Sequence, residues 1–218
     1  MVVAIIVLGA VAEAVAWAVV ARRHVSVWVV LAPVLAAEGV VALATGRIQW
    51  CPAVSGTVAV LVGLGSGILL FAATRVFLVV VVRVWPAFRR HAEAIYDQRG
   101  GLSLPVAVGA ALVVVAGEEF FWRGLAQGRL SEAAGLAAGA VATWAGYVAA
   151  NAPSGSLAIV AGAVVGGAVW GALAWWTHGV LAPLLCHAVW TSSMLAFPPT
   201  AAGSRGGPPD RAPDRAPA

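Results

Sequence analysis

Gly117 to Gly124 read GEEFFWRG, and the two adjacent acids with an arginine four residues on are the side chains of this 218-residue chain best suited to chemistry. They sit in an otherwise apolar run, where ionisable groups are costly and mark function. As helix neighbours, Glu118 and Glu119 point about 100° apart. Glu119 and Arg123 are spaced to pair along one face. Glu118 is then left without a cation directly beneath it, a carboxyl suited to exchange protons as a general base or acid. The bland reading is an ion pair that links helices. Two adjacent acids plus Arg, deep in an apolar span, weigh against it. A second candidate is His187 in LAPLLCHAVWTSS, with Thr191 one turn later on the same face. A lone intramembrane His is a packing residue unless it meets such a partner. At about 1.5 Å per residue, Glu118 and His187 lie at similar depth, roughly 12 Å from the same end of their spans.

EEFFWRG is similar to the EExxxR motif of the CPBP intramembrane endopeptidases, which include CAAX-processing and bacteriocin-processing or immunity proteins. LAPLLCHAVWT resembles that family's last motif, a His followed four residues later by Asn or Asp. Tyr147 to Asn151, followed by Ala-Pro-Ser-Gly, stands where the family has an aromatic-xxx-His motif. The resemblance covers roughly residues 100–195. It implies hydrolysis of a peptide bond at the membrane, with Glu118 as the water-activating base. Glu119 and Arg123 would hold the helix geometry, and His187 would orient water or stabilise the tetrahedral intermediate. Asn151 and Thr191 depart from the family pattern, standing where it has His and Asn or Asp. Each still carries a side-chain donor that can assist at an oxyanion. The ruler that aligns Glu118 with His187 puts Asn151 near the opposite end of its span. A zinc site would have only Glu118 and His187 as good ligands, because an amide oxygen suits harder ions. The expectation is therefore that no cofactor is required and that hydrolysis survives chelation. A divalent metal completed by Glu119 or His178 is the alternative.

These residues must be positioned by helices in lipid. The chain is 61% hydrophobic and 10% charged, against roughly 25% charged in soluble domains, so there is too little polar material for a water-facing coat. Apolar runs at 2–21, 26–45, 55–82, 104–126, 134–152, 156–176 and 179–197 predict an all-α polytopic membrane bundle of about seven transmembrane helices. The organisation reads as three N-terminal helices over 1–82, a cytoplasmic amphipathic loop over 83–103, a four-helix catalytic core over 104–197 and a disordered tail over 198–218. Arg22 and Arg23 follow the first span, Arg83, Arg89, Arg90 and Arg99 fall in one loop, and Arg205, Arg211 and Arg215 lie in the tail. The opposite loops hold only Arg47 and Arg129. That asymmetry predicts an outside N-terminus and a cytoplasmic tail, in a multi-pass protein of the bacterial cell membrane.

The arginines form no clustered basic face, which excludes nucleic acid as a partner. The expected partners are the bilayer and a membrane-associated peptide or protein substrate. Glu13 and Glu38, near mid-membrane in the first two spans, match no family motif and read as carboxyls hydrogen-bonded between helices. His178 in WWTHG reads as an interfacial residue beside Trp175 and Trp176, the alternative being a substitute for the missing His. Gly162, Gly166, Gly167 and Gly171 read as tight packing, and Cys51 and Cys186 as unpaired bystanders. Two other functional classes stand beside the protease: a proteolytically inactive relative that binds a membrane partner, and a proton-coupled transporter using Glu13, Glu38, Glu118 and His187.

Overall fold

A computed structural model describes residues 2–198, and every regular element among them is helical. The helices are α1 (Val2–Arg23), α2 (Val27–Ala44), α3 (Gly56–Val84), α4 (Pro86–Asp97), α5 (Leu104–Glu118), α6 (Gly128–Ala134), α7 (Leu136–Asn151), α8 (Leu157–Thr177) and α9 (Leu181–Ala196). A π-helical stretch, Glu119–Gln127, joins α5 to α6 without a break in the path. The expected tail and its arginines lie outside the described residues beyond Pro198.

Local signals explain the starts. The hydroxyls of Ser26, Ser55 and Ser156 accept from the amides of Trp28, Val58 and Ile159, capping α2, α3 and α8. Gly135, at φ +91°, makes the turn between α6 and α7 that a side chain would strain.

Among the described residues, Val2–Arg23, Val27–Ala44, Gly56–Val84, Leu104–Ala134 and Leu157–Thr177 are the five helical stretches long and apolar enough to cross a membrane. The chain is a multi-pass membrane protein. The expected fifth and seventh spans are shorter than the sequence suggested, at 16 residues each for α7 and α9. That is about 24 Å of helix against a hydrocarbon core of about 30 Å. Pro153 closes α7, and the turn at His178 and Gly179 takes residues from the start of α9. The fourth span is longer than expected, because the π-helical stretch carries it on to Ala134.

The two ends of the bundle are distinguishable. Trp28 Nε1 donates to the Gln98 carbonyl (2.8 Å) and the Leu157 amide to His91 Nδ1 (2.9 Å), which gathers the α1–α2 junction, α4 and the start of α8 at one end. At the other, the amides of Val180 and Leu181 donate to the carbonyls of Gln49 and Trp50 (both 3.0 Å), so the α2–α3 loop pairs with the α8–α9 turn. Arg22, Arg23, Arg83, Arg89, Arg90 and Arg99 belong to the α4 end, Arg47 and Arg129 to the loop end.

Polarity is inverted relative to a soluble domain. Val29, Leu69 and Val76 face outward at about 70% exposure, while Glu13 and Glu119 are wholly buried. Close approaches bring the helices together. A Cβ on Gly117 of α5 would collide with the Leu35 carbonyl of α2, and Gly63 and Gly67 let α3 lie against the backbone of Ala182 and Cys186 in α9. α1 packs on α2 and α7, outside the aromatic core of Phe121, Trp122, Tyr147 and Trp170.

Candidate active site

Glu118 is the last residue of α5 and Glu119 the first of the π-helical stretch. Such stretches are rare and concentrate at functional sites. Here the wider turn leaves Glu119, Phe121, Trp122, Arg123 and Gln127 all buried. Arg123 and Gln127 then reach α8 in step, Arg123 Nη2 donating to the Gly167 carbonyl (3.3 Å) and Gln127 Nε2 to the Gly171 carbonyl (2.9 Å). The α8 glycines pack tightly, as expected: Gly166 makes room for Trp170, and Gly167 for Tyr147.

The two acids converge on one imidazole. His187 of α9 meets Glu119 Oε1 through Nδ1 at 2.9 Å, and its Nε2 lies 3.8 Å from Glu118 Oε2. The ring is stacked on Trp170 at 3.6 Å between centroids and 16° between planes, which fixes its orientation. Glu119 thereby takes His187 as its close partner. Its contact with Arg123, on which the sequence spacing relied, is a 3.5 Å approach. Arg123 is held by aromatic faces as well, its guanidinium 4.4 Å from the centre of Tyr147 and 5.3 Å from that of Trp170. Tyr147 OH donates to Glu118 Oε1 at 3.4 Å.

Asn151 joins the buried cluster by a different route from the one expected. Its amide donates to Glu13 Oε1 (2.9 Å) and to the Tyr147 carbonyl (3.0 Å), which uses both hydrogens of the NH2 group. Glu13 Oε2 accepts from Trp122 Nε1 at 2.8 Å, so this carboxyl of α1 is bonded between helices as the sequence suggested. Glu38 is buried, but among the described residues neither of its oxygens has a hydrogen-bond partner. Thr191 lines an apolar cavity between α3, α4, α8 and α9, with no hydrogen bond to the acids or to His187. His178 is exposed at the loop end and stands apart from His187.

Sequence reasoning quoted Tyr147 without giving its hydroxyl a role and passed over Trp170. The signal for Tyr147 was its place in the middle motif; Trp170, buried among glycines, had none.

The donor set decides the question of a metal. Glu118 and His187 Nε2 are close enough to share one, with Nδ1 oriented by Glu119 in the manner of a carboxylate behind a ligating His. A third protein ligand is missing, because the Asn151 side chain is turned to Glu13 and no cluster of three suitable side chains occurs among the described residues. Catalytic zinc takes three protein ligands. The residues present do not fit it.

The helical bundle thus encloses a buried cluster of two carboxyls and an imidazole. Residues 100–193 match the family described as type II CAAX prenyl endopeptidase Rce1-like. The matched segment begins just before α5 and ends in α9, so it contains Glu118, Glu119, Arg123, Asn151, His187 and Thr191 and leaves out Glu13 and Glu38. By its description the family is one of endopeptidases. No curated protein and no solved structure matches the chain.

Proposed function

We propose that the protein is an intramembrane endopeptidase that hydrolyses a peptide bond of a membrane-associated substrate with water activated by Glu118, in the bacterial cell membrane. The observation that carries this reading is the His187 ring held between two carboxyls within the family-matched segment. The 3.8 Å between Glu118 and Nε2 suits a single water touching both groups. Glu118 takes a proton from that water as its oxygen attacks the carbonyl carbon. The same proton then passes to the leaving amine nitrogen as the C–N bond breaks. Glu119 and Trp170 orient the imidazole, and Arg123 braces the π-helical stretch against α8. Tyr147 OH, beside Glu118, is the donor best placed to meet the oxyanion. Asn151 holds α7 to α1 and does not donate to it.

The purified full-length chain should cleave a quenched fluorescent peptide library in detergent or proteoliposomes, and cleavage should survive chelation. Glu118→Gln should lower the rate by about a hundredfold or more. An unchanged rate in Glu118→Gln would remove the mechanism, and zinc bound stoichiometrically only when Glu118 is present would replace it with a metal-assisted one. One observation favours a second reading, an inactive relative that binds a membrane partner: both donors of Asn151, where the resembled family has His, are spent on structure. A wild type that cleaves nothing in the library supports that reading.

A further inference from the structure

Four carboxyls are buried among the described residues: Glu13, Glu38, Glu118 and Glu119. Three of them have partners. Glu13 accepts from Trp122 and Asn151, Glu118 accepts from the Tyr147 hydroxyl, and Glu119 meets His187 and Arg123. Glu38, at 7% exposure, has no hydrogen-bond partner on either oxygen. Such orphaned buried atoms are rare and call for an explanation. Glu38 stands on α2 beside Gly39, the residue that lies against Gly117 of α5, and this crossing brings it within electrostatic reach of Glu118 and of Glu13. α2 packs on α1, α5 and the π-helical stretch, whose buried charged groups are Glu13, Glu118, Glu119 and Arg123. Glu118 and Glu13 are the two that face Glu38, and both are acids. Arg123, the cation, is engaged by Glu119, Tyr147 and Trp170. Glu38 also lies outside the matched segment 100–193, so no family motif assigns it a role.

We infer that Glu38 is a positioning residue for Glu118: it keeps its proton beside the ionised base and, through one water, donates its O–H toward that base. Two facing carboxyls with no cation between them do not both ionise. Glu118 has the Tyr147 hydroxyl and His187 to support its charge, whereas Glu38 has no donor. The proton of the pair therefore rests on Glu38. A protonated carboxyl is a donor as well as an acceptor, so Glu38 gives the base a second donor besides Tyr147. Its proton is not consumed, because the one taken from water still travels by Glu118 to the amine. What Glu118 does rests on the endopeptidase reading. The proton on Glu38 is read without turnover, so that the two can fail separately.

The full chain in phosphatidylcholine nanodiscs is titrated with base while the infrared C=O absorption of protonated carboxyls is followed. At neutral pH the wild type should show a band that Glu38→Gln lacks. In Glu118→Gln that band should vanish at a pH lower by about one unit or more, because the facing negative charge is gone. A band indifferent to Glu38→Gln overturns the inference, as does one that vanishes at the same pH in wild type and Glu118→Gln. Kinetics on a cleaved fluorescent peptide supply the second arm. Glu38→Leu keeps the bulk and loses the donor, so kcat should fall about tenfold, the worth of one hydrogen bond to a charged group. KM should change little, and the acid limb of the rate profile should move to higher pH, since a base with one donor fewer is harder to ionise. Glu38→Gln keeps a donor and should retain most of the rate. Equal rates in the Leu and Gln variants would reduce Glu38 to packing and overturn its role. Should Glu38→Leu fail to fold, the infrared shift in Glu118→Gln still decides. The infrared shifts in a protein that cleaves nothing would keep the proton on Glu38 and sink the endopeptidase reading.

Discussion

At Glu119, helical spacing accounts for one of two partners. Spacing of four pairs it with Arg123, and the two stand 3.5 Å apart, but the acid also meets His187 at 2.9 Å while the guanidinium lies over Tyr147 and Trp170. The motif residues were legible because charge in an apolar run stands out. The contact of Glu119 with His187 was not, since a change of helical pitch leaves no mark in residue types. Tyr147→Phe tests the hydroxyl alone, because the ring keeps its contacts with Arg123 and Trp122. Turnover should fall about tenfold, in proportion to one hydrogen bond to a charged group, with the melting temperature little changed. Equal turnover in the two proteins would remove the hydroxyl from the mechanism. The Glu13–Asn151 bond offers a reciprocal test. Glu13→Gln should destabilise the chain by about 1–3 kcal/mol, the cost of a disturbed buried hydrogen bond. Adding Asn151→Asp restores a donor–acceptor pair with the roles exchanged and should recover part of that loss in thermal unfolding. A double variant no more stable than the worse single one would show that the bond does not couple the two sites.

Helix identity was legible and helix length was not. Hydropathy marks where apolar runs lie, but the ends of α7 and α9 depend on Pro153 and on the backbone bonds that tie the α8–α9 turn to the α2–α3 loop. Packing partners were equally hidden. The matched core is completed by helices outside it, with α2 lying against α5 so closely that Gly117 meets the Leu35 carbonyl and Gly39 faces Gly117. Gly117→Ala should therefore push α2 away from Glu118. A cost of about 1–3 kcal/mol is expected for such overpacking, read as a lower melting temperature in detergent. Gly109→Ala, on the same helix with open space around it, should be neutral or slightly stabilising. Equal melting temperatures for the two variants would mean that the α2–α5 approach is not tight.

For the molecule as a whole, the arginines at the α4 end predict that this end faces the cytosol. Cys51 lies in the α2–α3 loop at the opposite end and is partly exposed, whereas Cys186 is buried. A membrane-impermeant maleimide should label Cys51 in intact cells, and a cysteine placed by Asp97→Cys only after permeabilisation. Labelling of both in intact cells would mean that the number of crossings between them is even. The wholly buried Glu13 has a consequence for how the protein is made. Its partners Trp122 and Asn151 follow it by 109 and 138 residues, roughly 5–30 seconds of synthesis. Through that interval α1 sits in the bilayer with an unsatisfied carboxyl, at an insertion penalty of about 3 kcal/mol if charged. The apolar residues around it must offset that penalty unaided. α1 is thus inserted well before the helices that hold it in place, and the segments carrying Trp122 and Asn151 retrieve it.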